Sequence, residues 1–129
     1  MEKKTALFIF GATGDLAKRK IFPGIKLLCK KNPEFLNVDI IGISRKQFGK
    51  TEFLSFLKTE IFNSEDISPL EKNTVFISGD FNNDELYSKI EEYILKNGIH
   101  KAFIHLSVPP TGYNDIIVKI NRLALTSVE

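Results

Sequence analysis

A short apolar run followed by a glycine-rich segment stands near the start of the chain, where residues 6–17 read ALFIFGATGDLA. A continuous apolar run that ends at a glycine is typical of a strand buried on both faces, as in a parallel sheet. A helical pattern follows, in which apolar residues recur at spacings of three and four: Leu16, Ala17, Ile21, Ile25 and Leu28. The segment therefore predicts a strand, a glycine turn and a helix.

Pro23 lies inside this predicted helix. Proline removes one backbone hydrogen bond and crowds the carbonyl group four residues earlier, so we expect a kink near Arg19. The next residue, Gly24, costs about 1 kcal/mol more than alanine would. A strained helix beside a glycine turn indicates either a functional shape or close packing.

The alternation of strands and helices continues along the chain. Further strands are predicted at residues 38–43, 74–78 and 102–106. The intervening patterns predict one helix capped by Thr51 and another capped by Asn82 that ends near Asn97 and Gly98. A last helix is predicted around residues 116–123. This order implies right-handed crossovers and a parallel sheet, so the predicted fold class is α/β.

Composition limits the kind of protein. The chain has 129 residues, 43% of them hydrophobic and 26% charged, which is typical of one globular domain. Its formal net charge of +2 is small for a nucleic-acid-binding protein. One cysteine excludes an internal disulfide, and no apolar run approaches the roughly 18 residues of a membrane span. We therefore expect a cytoplasmic protein with no nucleic acid or membrane as a partner.

The glycine turn carries the main chemical signal. Between a strand and a helix, Gly11 permits a tight turn, Gly14 lets the backbone approach a pyrophosphate, and Ala17 allows close packing of helix on strand. The free N–H groups and the positive dipole end of the helix then face the phosphates. The predicted architecture is a Rossmann-type doubly wound parallel sheet with about four strands, incomplete, in the order 3-2-1-4.

The end of the second predicted strand distinguishes NAD from NADP. A NAD site places Asp or Glu there to bind the ribose 2′-hydroxyl, whereas this chain has Ser44, Arg45 and Lys46. Two cations suit a 2′-phosphate, which arginine can hold through two parallel hydrogen bonds. The predicted cofactor is NADP.

Other chemistries have less support. A short-chain reductase-like domain would need a tyrosine and a lysine four residues apart, and none of the tyrosines has that partner. His105 lies within a predicted strand without an adjacent Asp, so we expect it to be packed or paired. No cluster of Cys, His and carboxylate residues has metal-ligand spacing, and no metal site is predicted.

Three segments together resemble one enzyme family. Residues 8–23, FIFGATGDLAKRKIFP, closely resemble the opening of glucose-6-phosphate dehydrogenases. Residues 41–45, IGISR, resemble the second strand of that family with its NADP-selecting arginine, and residues 106–113, LSVPPTGY, resemble its loop after the fourth strand.

The resemblance implies a role for each matching residue. The phosphate loop would be formed by Gly11, Ala12, Thr13, Gly14, Asp15, Leu16, Ala17 and Lys18. Other cofactor contacts would come from later strand ends, namely Arg45 and Lys46 at the 2′-phosphate, Asp80 and Phe81 along the adenosine, and Pro110 and Tyr113 at the wall near the cofactor. Lys20 would point toward the nicotinamide and the substrate.

The activity implied is oxidation of glucose 6-phosphate to 6-phosphoglucono-lactone, with hydride transfer to NADP, in the pentose phosphate pathway. The family also has a Glu-Lys-Pro segment after its fifth strand and an Asp-His pair in a larger domain, and neither occurs in residues 1–129. We therefore expect residues 1–129 to be a partial NADP-binding domain, without the catalytic domain and inactive by itself. The alternative is a stand-alone, non-catalytic dinucleotide-binding module.

We also expect self-association through the unpaired edge of the fourth strand.

Overall fold

Strands and helices alternate through residues 4–62 and 67–123, the part of the chain that the computed structural model describes. Within these ranges the strands are β1 (Lys4–Phe10), β2 (Asp39–Ser44), β3 (Thr74–Ser78) and β4 (Ile99–Leu106). The α-helices are α1 (Phe22–Lys31), α2 (Lys50–Phe56), α3 (Ser68–Glu71), α4 (Asp84–Lys96) and α5 (Tyr113–Asn121). A π-helical turn over Ala17–Ile21 precedes α1 and another over Leu57–Ile61 follows α2, while 3₁₀ turns occupy Pro33–Asn37 and Pro110–Gly112.

The strands form one parallel sheet in the order β3-β2-β1-β4. β1 lies at its centre, where Phe8 is paired with Ile41 of β2 on one side and with Ile104 of β4 on the other. β2 pairs in turn with the edge strand β3, and the last pair at their carboxyl ends is Ser44 with Ser78. The predicted strand order is confirmed, and the carboxyl ends of all these strands meet at one edge.

Helices cover both faces of the sheet, as the doubly wound prediction requires. Alternate residues of β1 enter different cores, because successive side chains of a strand point to opposite faces. Phe8 and Phe10 pack with residues of α4 and α5, among them Leu86, Ile90 and Ile116. Ile9 packs on the other face with residues of α1 and α2, among them Ile25, Phe53 and Leu57. The α/β fold class is confirmed.

The π-helical turn over Ala17–Ile21 stands where the kink at Arg19 was expected. Phe22 donates its N–H to the carbonyl of Ala17, five residues earlier. Pro23 has no N–H for the Arg19 carbonyl, and its ring would crowd that oxygen in a regular α-helix. The wider turn accommodates both effects.

The same turn changes which apolar residues are buried. It inserts one residue into the helical period, so the side chains that follow are rotated around the helix axis. Phe22 and Cys29 enter the core beside Ile25, whereas Leu16 and Leu28 are each 44% exposed. The predicted core position of Leu28 was therefore wrong. That of Leu16 was also wrong, because Leu16 precedes this turn and lies at the exposed start of the helix.

The cap of α2 also differs from the prediction. The helix begins at Lys50 after Gly49, and the Glu52 carboxylate accepts a hydrogen bond from the Gly49 N–H at 2.9 Å. Thr51 lies inside the helix and is not its cap. A glycine cap supplies no side-chain acceptor, so Glu52 supplies the contact at this helix start.

Other predicted boundaries agree with the structure. β3 occupies the predicted residues 74–78, and α4 ends at Lys96, where Gly98 follows with a φ of +63°. No helix within residues 4–62 or 67–123 is both long and apolar enough to cross a membrane.

The amino edge of the sheet contains a buried carboxylate. Asp39 is 2% exposed, accepts a hydrogen bond from the Tyr93 hydroxyl at 2.6 Å and pairs with the Lys4 ammonium at 3.2 Å. Burial, followed by the hydrogen bond to Asp39 and its negative charge, raises the pKa of Tyr93. This group joins β1, β2 and α4 at the end of the sheet opposite the predicted site.

Candidate dinucleotide-binding site

The turn after β1 is held between β2 and β4. Gly11 has a φ of +85°, and the N–H groups of Gly11 and Ala12 donate to the Ile43 carbonyl at 2.9 and 3.1 Å. On the other side, a Cβ atom at residue 11 would lie 2.3 Å from the Ser107 carbonyl oxygen. Glycine is required here, because it has no side chain and adopts positive φ readily.

Gly14 links this turn to the first helix. Its N–H donates to the Gly11 carbonyl at 3.0 Å, and its own carbonyl accepts from the Lys18 N–H at 3.1 Å. Gly14 is exposed, and the nearest protein atoms to a Cβ atom there would be the carbonyl oxygens of Gly11 and Ser107, at 3.3 and 3.9 Å. The first N–H groups of a helix lack partners within it and form its positive end. The turn therefore fits a pyrophosphate at close range.

The other residues of the predicted phosphate loop divide between core and surface. Ala12 and Ala17 are completely buried, so their small side chains let the turn and the helix lie close to the sheet. Thr13 is half-buried, while Asp15 and Leu16 are exposed. Backbone groups of the exposed half are thus the part that a ligand would reach.

The basic triplet after the loop has three different environments. Arg19 pairs with Asp15 at 2.6 Å, and Lys18 lies 3.8 Å from Glu60, in the π-helical turn that follows α2. Exposed ion pairs of this kind contribute little to stability. Lys20 is exposed on the π-helical turn, and none of the residues described in the structure is its hydrogen-bond or ion-pair partner.

The turn after β2 presents the two cations predicted for the 2′-phosphate. Arg45 and Lys46 are both exposed. The Lys46 N–H donates to Ser44 Oγ at 3.2 Å, and its carbonyl accepts a hydrogen bond from the Ser78 hydroxyl. The Gly79 N–H donates to the Ser44 carbonyl at 2.9 Å. The backbone of this turn is therefore fixed, while its charged side chains face solvent.

The loop after β3 is ordered around Asp80. The Asp80 carboxylate accepts from the Asn82 N–H at 3.0 Å, and the main-chain carbonyl of Asp80 accepts from the Asn83 N–H at 2.9 Å. Asn83 then caps α4, since its side chain accepts from the Glu85 N–H at 2.9 Å. The predicted cap, Asn82, was wrong by one residue because Asn82 belongs to the turn around Asp80.

Phe81 covers the end of β1. Its ring lies 5.6 Å from that of Phe10, and its carbonyl accepts from the Tyr87 hydroxyl at 2.8 Å. Burial, with smaller contributions from nearby carboxylates, raises the pKa of Tyr87 to about 12. Phe81 is half-buried, so one part of it belongs to the core and another borders the strand ends.

The loop after β4 closes the site on its other side. Ser107 donates its N–H to the Phe10 carbonyl at 2.8 Å, and its hydroxyl lies 3.0 Å from Nδ1 of His105. His105 is thus paired, as expected. Pro110 is exposed, and the half-buried Tyr113 is the first residue of α5. Both lie where the loop after β4 turns into that helix.

The predicted site residues are therefore distributed over loops that follow four parallel strands and meet at one edge of the sheet. Sequence reasoning missed the contacts of Ser78 and Ser107, which depend on strand register, and the local hydrogen bond from the Lys46 N–H to the Ser44 hydroxyl. A parallel sheet in this strand order, with a glycine turn at the start of the first helix, defines a dinucleotide-binding α/β domain of the Rossmann type.

Comparison with known proteins identifies the family. Residues 8–129 match the family model described as glucose-6-phosphate dehydrogenase, NAD binding domain, and the chain belongs to this family. The glucose-6-phosphate 1-dehydrogenase of Borreliella burgdorferi is 31% identical over 123 residues, which cover 93% of this chain and 25% of that protein. The enzyme of Chlamydia muridarum is 29% identical over 129 residues, covering 90% of this chain and 25% of its own length.

Solved structures agree with this assignment. Glucose-6-phosphate 1-dehydrogenase from Mycobacterium avium has a TM-score of 0.82 at 25% identity, over 99% of this chain and 29% of that one. A glucose-6-phosphate dehydrogenase in complex with its substrate glucose-6-phosphate has a TM-score of 0.79 at 22% identity, over 97% and 28%. The chain thus spans about a quarter of the length of the curated relatives it matches. The resemblance inferred from the sequence is confirmed, and the family supports a nicotinamide dinucleotide as the cofactor.

The structure predicts different costs for alanine at two glycines with positive φ. At Gly98 a Cβ atom would meet no atom within 4 Å, so Gly98→Ala pays only for the left-handed backbone, about 1–2 kcal/mol. Gly11→Ala adds a collision with the Ser107 carbonyl and should destabilise the chain more, as well as weakening dinucleotide binding. Denaturant unfolding would measure the loss of stability, and calorimetric titration with NADP would measure the loss of affinity. Equal losses of stability in the two variants would contradict a tight contact at Gly11.

Proposed function

We propose that this chain is the NADP-binding part of a glucose-6-phosphate dehydrogenase. Such an enzyme oxidises glucose 6-phosphate to 6-phosphoglucono-lactone, with hydride transfer to NADP, in the cytoplasmic pentose phosphate pathway. Family membership supports the reaction, and the solved relative in complex with glucose-6-phosphate supports the substrate. The observation that carries the proposal is the presence of the glycine turn and two exposed cations at the same edge of the sheet.

Each loop at this edge has a proposed task. The backbone from Gly11 to Lys18 binds the pyrophosphate. The later loops hold the remaining parts of the cofactor through Arg45 and Lys46 at the 2′-phosphate, Asp80 and Phe81 along the adenosine, and Pro110 and Tyr113 at the wall near the cofactor. When bound, the dinucleotide supplies a nicotinamide ring that accepts a hydride. Lys20, on the exposed π-helical turn, extends toward the nicotinamide and the sugar phosphate.

Charge at the end of β2 favours NADP over NAD. A carboxylate there would attract the ribose hydroxyls of NAD and repel a 2′-phosphate. The residues after Ser44 are instead Arg45 and Lys46, and both side chains are exposed. Asp80, an acid on the loop after β3, accepts a hydrogen bond from the Asn82 N–H and so has a structural contact of its own. A 2′-phosphate can therefore meet two cations at this position.

Arg45→Ala should weaken NADP binding at least about tenfold, because hydrogen bonds to charged groups contribute about 1.5–3 kcal/mol. NAD binding should change little, since NAD lacks the 2′-phosphate. Calorimetric titration of the chain with each dinucleotide measures the two affinities. Arg122→Ala is the matched control, because Arg122 is exposed at the far end of α5. An equal loss of affinity for NAD and NADP would contradict this role of Arg45.

The 129-residue chain should bind NADP without oxidising the sugar. The proposed residues hold the dinucleotide, and the chain spans about a quarter of its relatives' length. With glucose 6-phosphate and NADP present, absorbance at the reduced-nicotinamide band should not rise above that of a sample without the chain. Formation of reduced cofactor by the purified chain would show that these residues also contain the catalytic groups.

We also propose that the isolated chain self-associates through the edge of β4. Beside this strand, a groove of about 200 Å³ is lined by Ile104, Leu106, Ile116, Ile117, Ile120 and Asn121. Ile117 is 47% exposed, so Ile117→Glu should reduce association by placing a charge at the groove. Sedimentation velocity over a range of concentrations measures it. Leu95→Glu is the control, since Leu95 is 72% exposed on α4. A chain that stays monomeric at high concentration would contradict the proposal.

A further inference from the structure

We propose that Ser44 and Ser78 are positioning residues that determine the preference for NADP. Their hydroxyl groups hold the backbone of Lys46 from two sides and thereby orient the turn that carries Arg45. The inference rests on the proposed function and deepens it, because it identifies how the sheet fixes the cations of the 2′-phosphate site.

Both main-chain polar groups of Lys46 are bonded to serine hydroxyls. The N–H donates to Oγ of Ser44 at 3.2 Å, and the carbonyl accepts from the hydroxyl of Ser78. Ser44 is only 6% exposed, so water has little access to the first of these contacts. Lys46 comes directly after Arg45, and fixing its peptide groups restricts the direction in which the Arg45 side chain leaves the turn.

The two serines are themselves anchored. They are register partners at the carboxyl ends of β2 and β3, and the Ser44 carbonyl accepts from the Gly79 N–H at 2.9 Å. The Ser78 carbonyl accepts from the Lys89 ammonium at 3.1 Å, so α4 supports the same point. The position of the turn therefore follows that of the sheet.

This anchoring has a specific consequence for ligand choice. Long side chains lose conformational freedom when they bind a phosphate, and a fixed backbone reduces that loss before the ligand arrives. Only a ligand with a 2′-phosphate uses the guanidinium of Arg45, so only that ligand benefits from the fixed turn. A structural role of the serines elsewhere in the domain would instead alter the affinities for NAD and NADP equally.

Removal of either hydroxyl tests the inference. Ser78→Ala and Ser44→Ala should each weaken NADP binding about three- to tenfold, the range expected for one hydrogen bond, while NAD binding changes less than about twofold. 2′-AMP should follow NADP, and 5′-AMP should follow NAD. Ser55→Ala is the matched control, because Ser55 is exposed on the neighbouring helix α2. Ser78→Thr keeps a hydroxyl and should retain most of the preference for NADP.

A double-mutant cycle with Arg45→Ala shows whether the serines act through the arginine. In the Arg45→Ala background, Ser78→Ala should lose most of its effect on NADP binding. Thermal unfolding of each variant separates a binding loss from a folding loss, and Ser44→Ala provides a second test if Ser78→Ala does not fold. Equal losses for NADP and NAD, or an undiminished effect without Arg45, would overturn the inference and leave the proposed function intact. A parent chain that does not prefer NADP to NAD would overturn both.

Discussion

The contact between the backbone at Gly11 and the carbonyl group of Ser107 organises the edge of the sheet where the strands end. A side chain at residue 11 would bring its Cβ atom within 2.3 Å of that oxygen, so β4 could not continue past β1 in its present position. On the other side, the same turn donates two N–H groups to Ile43 of β2. The absence of one side chain thus allows three strand ends to meet at one turn, from which the first helix begins.

Close packing behind the turn depends on a second missing side chain. A Cβ atom at Gly42 would lie 2.5 Å from the ring of Phe53 and 3.0 Å from the Cβ of Ala12. Phe53 is completely buried and brings α2 onto this part of the sheet. The glycine turn therefore packs against the Phe53 ring. Protein interiors packed this closely have low compressibility, so the turn has little room to shift. A phosphate bound at the turn would meet a backbone that is already in place.

Local patterns predicted the fold better than they predicted its contacts. The parallel sheet followed from the alternation of elements, the strand order followed from the glycine turn after the first strand, and Asn97 with Gly98 marked the end of α4. These signals each lie within a short stretch of sequence. The burial of Cys29 in place of Leu28 did not follow, since a single π-helical turn rotates all later residues of that helix. The place of Arg45 and Lys46 after the second predicted strand likewise indicated them as candidates for the 2′-phosphate. The role of Ser78 became visible only with the register between β2 and β3, because its hydroxyl reaches the Lys46 carbonyl from a strand far away in sequence.

The two edges of the sheet treat charged groups in opposite ways: the amino edge buries and pairs a charge, and the carboxyl edge exposes charges to solvent. At the amino edge, Asp39 is buried and accepts from Tyr93 while it pairs with Lys4, so its charge has partners within the fold. A buried carboxylate without such partners would be costly. At the carboxyl edge, the side chains of Arg45 and Lys46 are exposed, and the main chain of Lys46 is hydrogen-bonded to Ser44 and Ser78. Their charges stay hydrated until an anion replaces the water, and the main chain keeps the geometry meanwhile. Because the group that stabilises the sheet lies apart from the proposed binding groups, the carboxyl edge presents positive charge that no acid within residues 4–62 or 67–123 pairs with.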